Sequence, residues 1–166
     1  MPDGDIKRIY ELKCNEARYR QRNHPLRRGL KAIRAFEHRY KGHKIYSGGE
    51  WGGLHYLVYG PQEHWRESFE FAVSVAHITN IVGILHLDCT WGRWKMEQMG
   101  ITYNIETEKK FCLETAKTSV NIFNHYAPDI PYEIFLHHEE DPYEACLFNS
   151  QTGLFEPFAI PLIPKN

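Results

Sequence analysis

The chain of 166 residues lacks the patterns that mark secreted and membrane proteins. Its four cysteines are widely spaced with no C-x-x-C pair, and its first residues contain no apolar signal core. The longest apolar-leaning stretch, Ile78 to Leu87, is far shorter than the roughly 20 residues that a membrane span requires. We therefore expect a soluble cytoplasmic protein whose thiols are reduced and mostly buried.

Nucleotide-binding and phosphoesterase motifs are also missing or incomplete. The glycine-rich segment Ser47 to Gly53 matches neither G-x-G-x-x-G nor the P-loop pattern, so a tight turn beside Trp51 is expected there. His77-Ile78-Thr79 matches one half of the paired H-x-S/T signature of two-histidine phosphoesterases, but that chemistry needs two such histidines and a second copy is absent. These patterns favour a protein without catalytic activity.

Charge is distributed unevenly along the chain. Residues 1–44 carry 13 Lys and Arg against 5 Asp and Glu, a net charge of +8, whereas residues 45–166 carry 7 against 16, a net charge of −9. A basic segment of this kind favours contact with nucleic-acid phosphates or with an acidic protein. A homo-oligomer, in which the two charged halves pair between copies, is the alternative. The residues expected to make the contact are Arg20, Arg22, Arg27, Arg28, Lys31, Arg34 and Tyr40.

The hydrophobic pattern predicts a single domain of the α+β class, in which a basic helical arm (1–44) precedes an acidic body (45–166). Two basic helices are predicted in the arm, from Asp5 to Tyr19 and from Pro25 to Gly42. The body is predicted to hold a largely antiparallel sheet of five to seven strands, with one long helix at about residues 106–126 packed on it. The predicted strands are Leu54–Tyr59, Ser68–Val75, Ile81–Asp88, Ile101–Ile105, Tyr132–Leu136, Ala145–Phe148 and Leu154–Ile160.

Two parts of this interpretation stay open. Ser68 to Val75 alternates apolar and polar side chains as a strand does, but a helix through Trp65, Phe69 and Ala72 also fits. Thr90 to Gly100 is either a connection or a short helix. If Ser68–Val75 and Ile81–Asp88 are both strands, Asn80 lies near the turn of a hairpin between them.

Histidines and carboxylates form the one candidate metal site. His86 and Asp88 would lie on the same face of a strand, and the run His137-His138-Glu139-Glu140-Asp141 is rich in possible ligands. The order H-x-D…H resembles the iron triad of 2-oxoglutarate oxygenases, and this resemblance implies Fe(II) bound by His86, Asp88 and His137; Zn is the other metal that such donors suit. A pair of His86 with Cys89 is not expected, because residues three apart on a strand face opposite ways.

Together these patterns predict a small non-catalytic binding or regulatory protein without a cofactor. Its basic arm would engage nucleic acid or an acidic partner, as an immunity-like or counter-defence-like inhibitor does. The alternative is a metal-dependent hydrolase or oxygenase that uses the His86, Asp88 and His137 site with Zn or Fe.

Overall fold

The computed structural model of the protein describes residues 6–14, 40–48, 51–137 and 144–159. Six strands form one sheet: β1 (Arg8–Lys13), β2 (Lys44–Ser47), β3 (Asn80–His86), β4 (Tyr132–His137), β5 (Glu144–Asn149) and β6 (Leu154–Ala159). The four helices of the described residues are α1 (Leu54–Tyr59), α2 (Gln62–Ser74), α3 (Thr90–Gln98) and α4 (Ile105–Tyr126). No helix in these described ranges is long and apolar enough to cross a membrane.

The sheet is mixed, with the order β2-β1-β3-β4-β5-β6. The first four of these strands are parallel, with Tyr10 beside Ile81 and Ile84 beside Phe135, and β5 and β6 then add in the antiparallel sense. Parallel neighbours require crossover connections, and helices form part of these connections between β2 and β3 and between β3 and β4. The α+β class, the number of strands and the long helix packed on the sheet are confirmed.

Apolar side chains bury both faces of the central strands. The larger core lies on one face, where Tyr10, Leu12 and Ile81 pack with residues of α2 and α4 that include Phe69 and Phe123. The smaller core on the opposite face contains Ile9, Tyr40, Val82, Ile84 and Phe135. A strand that is covered on both faces carries an almost continuous buried run, which is typical of parallel sheets.

The long helix α4 has well-defined ends. Asn104 caps its first turn, because its side chain accepts from the N–H of Thr107 while the Thr107 side chain accepts from the N–H of Asn104. Its buried face carries Cys112, Ala116, Val120 and Phe123, the same face that the sequence spacing indicates. This face packs against the sheet and holds α4 in place. The groups that contact the other buried side chains of α4 are therefore held in place as well.

The prediction of a helix from Asp5 to Tyr19 is wrong for residues 8–13, which form β1 between β2 and β3. The misleading feature is a buried ion pair: the Lys13 Nζ lies 2.6 Å from the Glu11 Oε1, and both side chains are almost fully buried. The two charges of this pair break the apolar run that a parallel strand normally shows. The predicted second helix, from Pro25, lies almost entirely outside the described residues.

Other predictions fail where strand and helix patterns overlap. Leu54–Tyr59 is helix α1, and Ser68–Val75 belongs largely to helix α2. Phe71 on this helix and Val75 directly after it are exposed, while Phe69 and Ala72 are buried. Ile101–Ile105 forms no strand, since Ile105 begins α4. Asn80 begins a strand that is parallel to β1, so the predicted hairpin is absent and the sheet is not largely antiparallel.

Replacing Lys13 by Met is expected to destabilise the fold by about 3–5 kcal/mol, because it leaves the Glu11 carboxylate buried without the cation it contacts. Equilibrium urea unfolding measures this loss. Lys117→Met is the control, since Lys117 pairs with Glu114 at 3.5 Å on the surface, and such pairs contribute about 0–1 kcal/mol. Similar losses in the two variants would contradict the assignment of a buried pair.

Candidate metal centre

The order of the parallel strands creates a crevice between β1 and β3. In the sheet, β2 lies beside β1 on one side of this pair, and β4 lies beside β3 on the other side. The strand order therefore reverses its direction between β1 and β3. In open sheets of this kind, ligands bind outside the carboxyl ends of the strands at such a reversal. Cys14 directly follows β1, His86 is the last residue of β3, and Cys89 lies three residues further on.

These three residues form a compact buried group. One ligand-type atom from each of Cys14, His86 and Cys89 lies within 4.8 Å of the other two, a spacing that could hold a metal ion. The exposed fractions of the three residues are only 2%, 2% and 1%. Among the described residues, this is the one group of three or more His, Cys, Asp or Glu side chains with metal spacing.

The distance between the two sulfurs fits tetrahedral coordination. The Sγ atoms of Cys14 and Cys89 are 3.8 Å apart. A disulfide requires about 2.05 Å, whereas two thiolates bound to one tetrahedral ion at about 2.3 Å lie about 3.8 Å from each other. The two sulfurs therefore do not form a cystine, and their spacing suits two ligands of one ion as well as a hydrogen bond between two thiols.

The imidazole of His86 has a defined tautomer. Its Nδ1 lies 3.0 Å from the carbonyl oxygen of Leu87, and because a carbonyl can only accept, Nδ1 must donate. The lone pair is then on Nε2, the nitrogen that can bind a metal. Metal-binding histidines commonly donate their second ring N–H to a carbonyl or carboxylate in this way.

A left-handed residue brings Cys89 back beside His86. Asp88 has a φ of 56°, a conformation that Asp adopts more readily than most other residues. The strand ends before this turn, so the alternation that would separate positions 86 and 89 no longer applies. The expectation that Cys89 and His86 face opposite ways is wrong for this reason.

Backbone N–H groups point at both sulfurs. The Cys89 Sγ accepts from the N–H of Gly92 at 3.4 Å, which makes Cys89 the N-cap of α3. The Cys14 Sγ accepts from the N–H of Gly52 at 3.3 Å. Such donors, and the positive end of a helix, stabilise negative charge on sulfur, and the thiolate is the form in which cysteine binds metals.

Two glycines allow this close packing. A Cβ on Gly52 would lie 2.6 Å from the Trp91 ring, and a Cβ on Gly53 would lie 2.7 Å from the backbone nitrogen of Cys14. The glycine-rich segment therefore lets the chain approach Cys14 closely, a function beyond the tight turn predicted from the sequence.

A cavity of about 190 Å³ is lined by Gly53, Tyr10 and Trp65, and none of the three group members is among its lining residues.

A second buried histidine lies next to the group. The Nδ1 of His55 is 2.7 Å from the Thr115 Oγ1, and its Cδ2 is 3.0 Å from the position that a Cβ on Gly92 would occupy. Burial, together with the nearby His86, lowers the pKa of His55 from 6.5 to about 3. His55 is thus a neutral packing residue beneath the turn that carries Cys89. Burial, and to a lesser degree Glu108, raises the pKa of the neighbouring Cys112 thiol.

Of the site residues predicted from the sequence, the structure places one in the buried group. His86 belongs to the group, and Asp88 lies within the turn between His86 and Cys89. His137 pairs with His86 in the register of β3 and β4, but the structure describes only its backbone. Tyr40 is buried, and its hydroxyl donates to Glu133. The basic residues Arg20, Arg22, Arg27, Arg28, Lys31 and Arg34 lie outside the described residues.

Cys14 and Cys89 were not identified from the sequence as candidate metal ligands. The available signal was the H-x-x-C spacing of His86 and Cys89 directly after an apolar strand, together with a cysteine directly after another short strand. Recognising it required β1 to be identified as a strand parallel to β3. The four cysteines, all within the described residues, form no disulfide, as expected.

No protein-family model and no curated protein matches the chain. Among solved structures, the chain is similar to the β-carbonic anhydrase CafA of the fungal pathogen Aspergillus fumigatus. The two share 7% identical residues over 93% of this chain and 76% of that chain, with a TM-score of 0.47. A likeness at this level does not by itself transfer a function.

The prediction of a non-catalytic binding protein without a cofactor is wrong. The buried group of Cys14, His86 and Cys89 has the donor types, spacing and burial of a metal centre, so the metal-dependent alternative is the better interpretation. The physical reason for the error is that the ligands come from distant segments, which only the pairing of β1 with β3 brings together.

The low pKa of His55 predicts how stability depends on pH. The unfolded chain binds a proton at His55 below about pH 6.5, whereas the folded chain resists doing so down to about pH 3. The free energy of unfolding should therefore fall with decreasing pH across this window, by about 1.4 kcal/mol per pH unit from this residue. Urea unfolding of the wild type and of His55→Gln at several pH values measures the contribution.

His125→Gln is the matched control, since His125 is an exposed histidine at the end of α4. This variant should keep the wild-type slope, whereas His55→Gln should lose part of it. If the slopes of wild type and His55→Gln coincide, His55 is not held neutral by the fold.

Proposed function

We propose that this protein is a zinc-dependent enzyme whose metal is bound by Cys14, His86 and Cys89. The single observation that carries the proposal is the buried group with its Sγ–Sγ distance of 3.8 Å. Two thiolates and one imidazole are donors that zinc prefers, whereas non-haem iron oxygenases use two histidines and a carboxylate. The donor set therefore favours zinc over the iron of the sequence-based alternative.

Three protein ligands leave one coordination position for a water molecule or a substrate. When bound in such a site, zinc lowers the pKa of a water ligand to about 7 and so supplies a nucleophile at neutral pH. The contribution of this chain is to hold both thiolates with N–H donors from Gly52 and Gly92 and to orient His86 through the Leu87 carbonyl. A desolvated cluster of this kind strengthens electrostatic interactions with a bound substrate.

The burial of the ligands favours a small substrate. Each of the three is at most 2% exposed, so a large polymer cannot reach them without rearrangement. We propose hydration or hydrolysis of a small electrophile, and carbon dioxide is the first substrate to test because it is among the smallest.

A nucleic acid or acidic protein as partner of the basic residues, a homo-oligomer through the charged halves, and a cytoplasmic location stay proposals. The charge asymmetry of the chain supports the first two.

The purified protein is expected to contain about one zinc per chain, as measured by elemental analysis. Cys14→Ser and Cys89→Ser should each lose most of the metal, because each removes one of two thiolates. Cys146→Ser is the control, since Cys146 lies on β5 outside the group, and it should keep the wild-type zinc content. The zinc-loaded protein should accelerate carbon dioxide hydration or the hydrolysis of an activated ester, and the two ligand variants should not.

Equal zinc content in all the variants would show that the metal, if present, is bound elsewhere. Stoichiometric zinc without either activity would instead identify the centre as a structural one.

A further inference from the structure

Glu108 is a charged residue in the interior of the protein. It lies on the first turns of α4 and is only 1% exposed. A buried carboxylate is costly unless it is well hydrogen-bonded, so its partners indicate what it holds in place. In this case those partners lie in the turn that carries the metal group.

The carboxylate binds two consecutive backbone N–H groups of that turn. The Oε1 accepts from the N–H of Asp88 at 2.8 Å, and the Oε2 accepts from the N–H of Cys89 at 3.2 Å. The hydroxyl of Tyr103 donates to Oε1 at 3.2 Å. A carboxylate has two oxygens and only accepts, so it matches two adjacent N–H donors that no neutral side chain of the same shape can match.

The location of these bonds matters because the turn is conformationally demanding. Asp88 has a φ of 56°, and this left-handed residue is what returns Cys89 to the side of His86. The carboxylate accepts hydrogen bonds from the N–H groups on both sides of the Asp88 Cα, so it fixes the left-handed geometry directly. Gly92 then fixes the sulfur of Cys89 from the other side through its own N–H.

We propose that Glu108 is a positioning residue for the metal centre: it holds the turn from His86 to Cys89 in the conformation that presents both side chains to the point faced by Cys14. This inference rests on the proposed metal-binding function. Its partners in the turn are backbone N–H groups, so Glu108 acts through the turn and is not itself a ligand. The turn and α4 are thereby linked, and the buried face of α4 packs in the larger hydrophobic core.

Glu108→Gln is the appropriate variant because it preserves size and shape. The amide retains one oxygen acceptor but places an NH₂ donor against one of the two N–H groups, which leaves that group unsatisfied. Glu114→Gln is the matched control, since Glu114 lies on the same helix, is 62% exposed and carries the same charge.

The experiment compares wild type, Glu108→Gln and Glu114→Gln in three measurements. Zinc affinity is measured by competition with a chromophoric chelator, and the ligand geometry by the absorption spectrum after cobalt(II) substitution. The stability of the metal-free fold is measured by urea unfolding in the presence of a chelator.

Loss of an outer-shell partner typically costs 10- to 100-fold in metal affinity, and we expect about that loss in Glu108→Gln together with a changed thiolate-to-cobalt band. Glu114→Gln should match the wild type.

The outcomes separate this inference from the proposed function. If the wild type does not bind zinc, the proposed function fails. If the wild type binds zinc and Glu108→Gln has the same affinity and cobalt spectrum, the positioning role is refuted, even if the metal-free variant is less stable. If Glu108→Gln does not fold, Tyr103→Phe decides the question, because it removes one donor to the same carboxylate and leaves the turn otherwise intact. A smaller loss of zinc affinity in Tyr103→Phe supports the role, and unchanged affinity refutes it.

Discussion

The parallel pairing of β1 with β3 is the constraint on which the candidate site depends. It aligns Lys13 with Ile84, so the residue after β1 and the last residues of β3 meet at one edge of the sheet. Cys14 and His86 acquire their proximity from this register alone, although they are far apart in the chain. A shift by one residue would turn the side chains of one strand to the opposite face and would separate the ligands. Both hydrophobic cores support this register, because β1 and β3 contribute side chains to each of them.

The centre is built in layers around this edge. The first layer consists of three side chains with soft or borderline donors, and the second consists of backbone N–H groups and one carbonyl that orient them. The third layer is packing: His55 and Trp91 occupy the space beside Gly92 and Gly52, where any larger residue would collide with them. In this arrangement the backbone passes close to other groups, which explains why glycines occur at two of the contacts. The outer layers thus orient the three side chains of the first, as hydrogen-bond partners outside the ligands do in metal centres.

The sequence predicted the parts of the fold whose patterns are unambiguous. The helix over residues 106–126 was predictable because its apolar face, from Cys112 to Phe123, repeats over about three turns, and β4, β5 and β6 were predictable from short β-prone runs bounded by turn residues. β1 was not predictable in this way, since Glu11 and Lys13 interrupt its apolar run with a buried ion pair. Phe71 in α2 and Val75 directly after it are apolar but exposed, so the pattern of this segment resembles that of a strand. Of the candidate site, only His86 was identified from the sequence, because Cys14 and Cys89 come close to it through a strand pairing and a left-handed turn that local patterns do not encode.

The distribution of the ligands along the chain has a consequence for how the protein persists in a cell. His86 and Cys89 are local neighbours, but Cys14 is separated from Cys89 by 75 positions. An unfolded chain therefore offers an ion no more than a weak local pair, and the complete set exists only in the folded state. An ion that binds one state and not the other shifts the equilibrium by mass action. For a zinc protein of this design, the supply of the metal would govern abundance as well as activity, because chains made during scarcity would spend more time accessible to proteases.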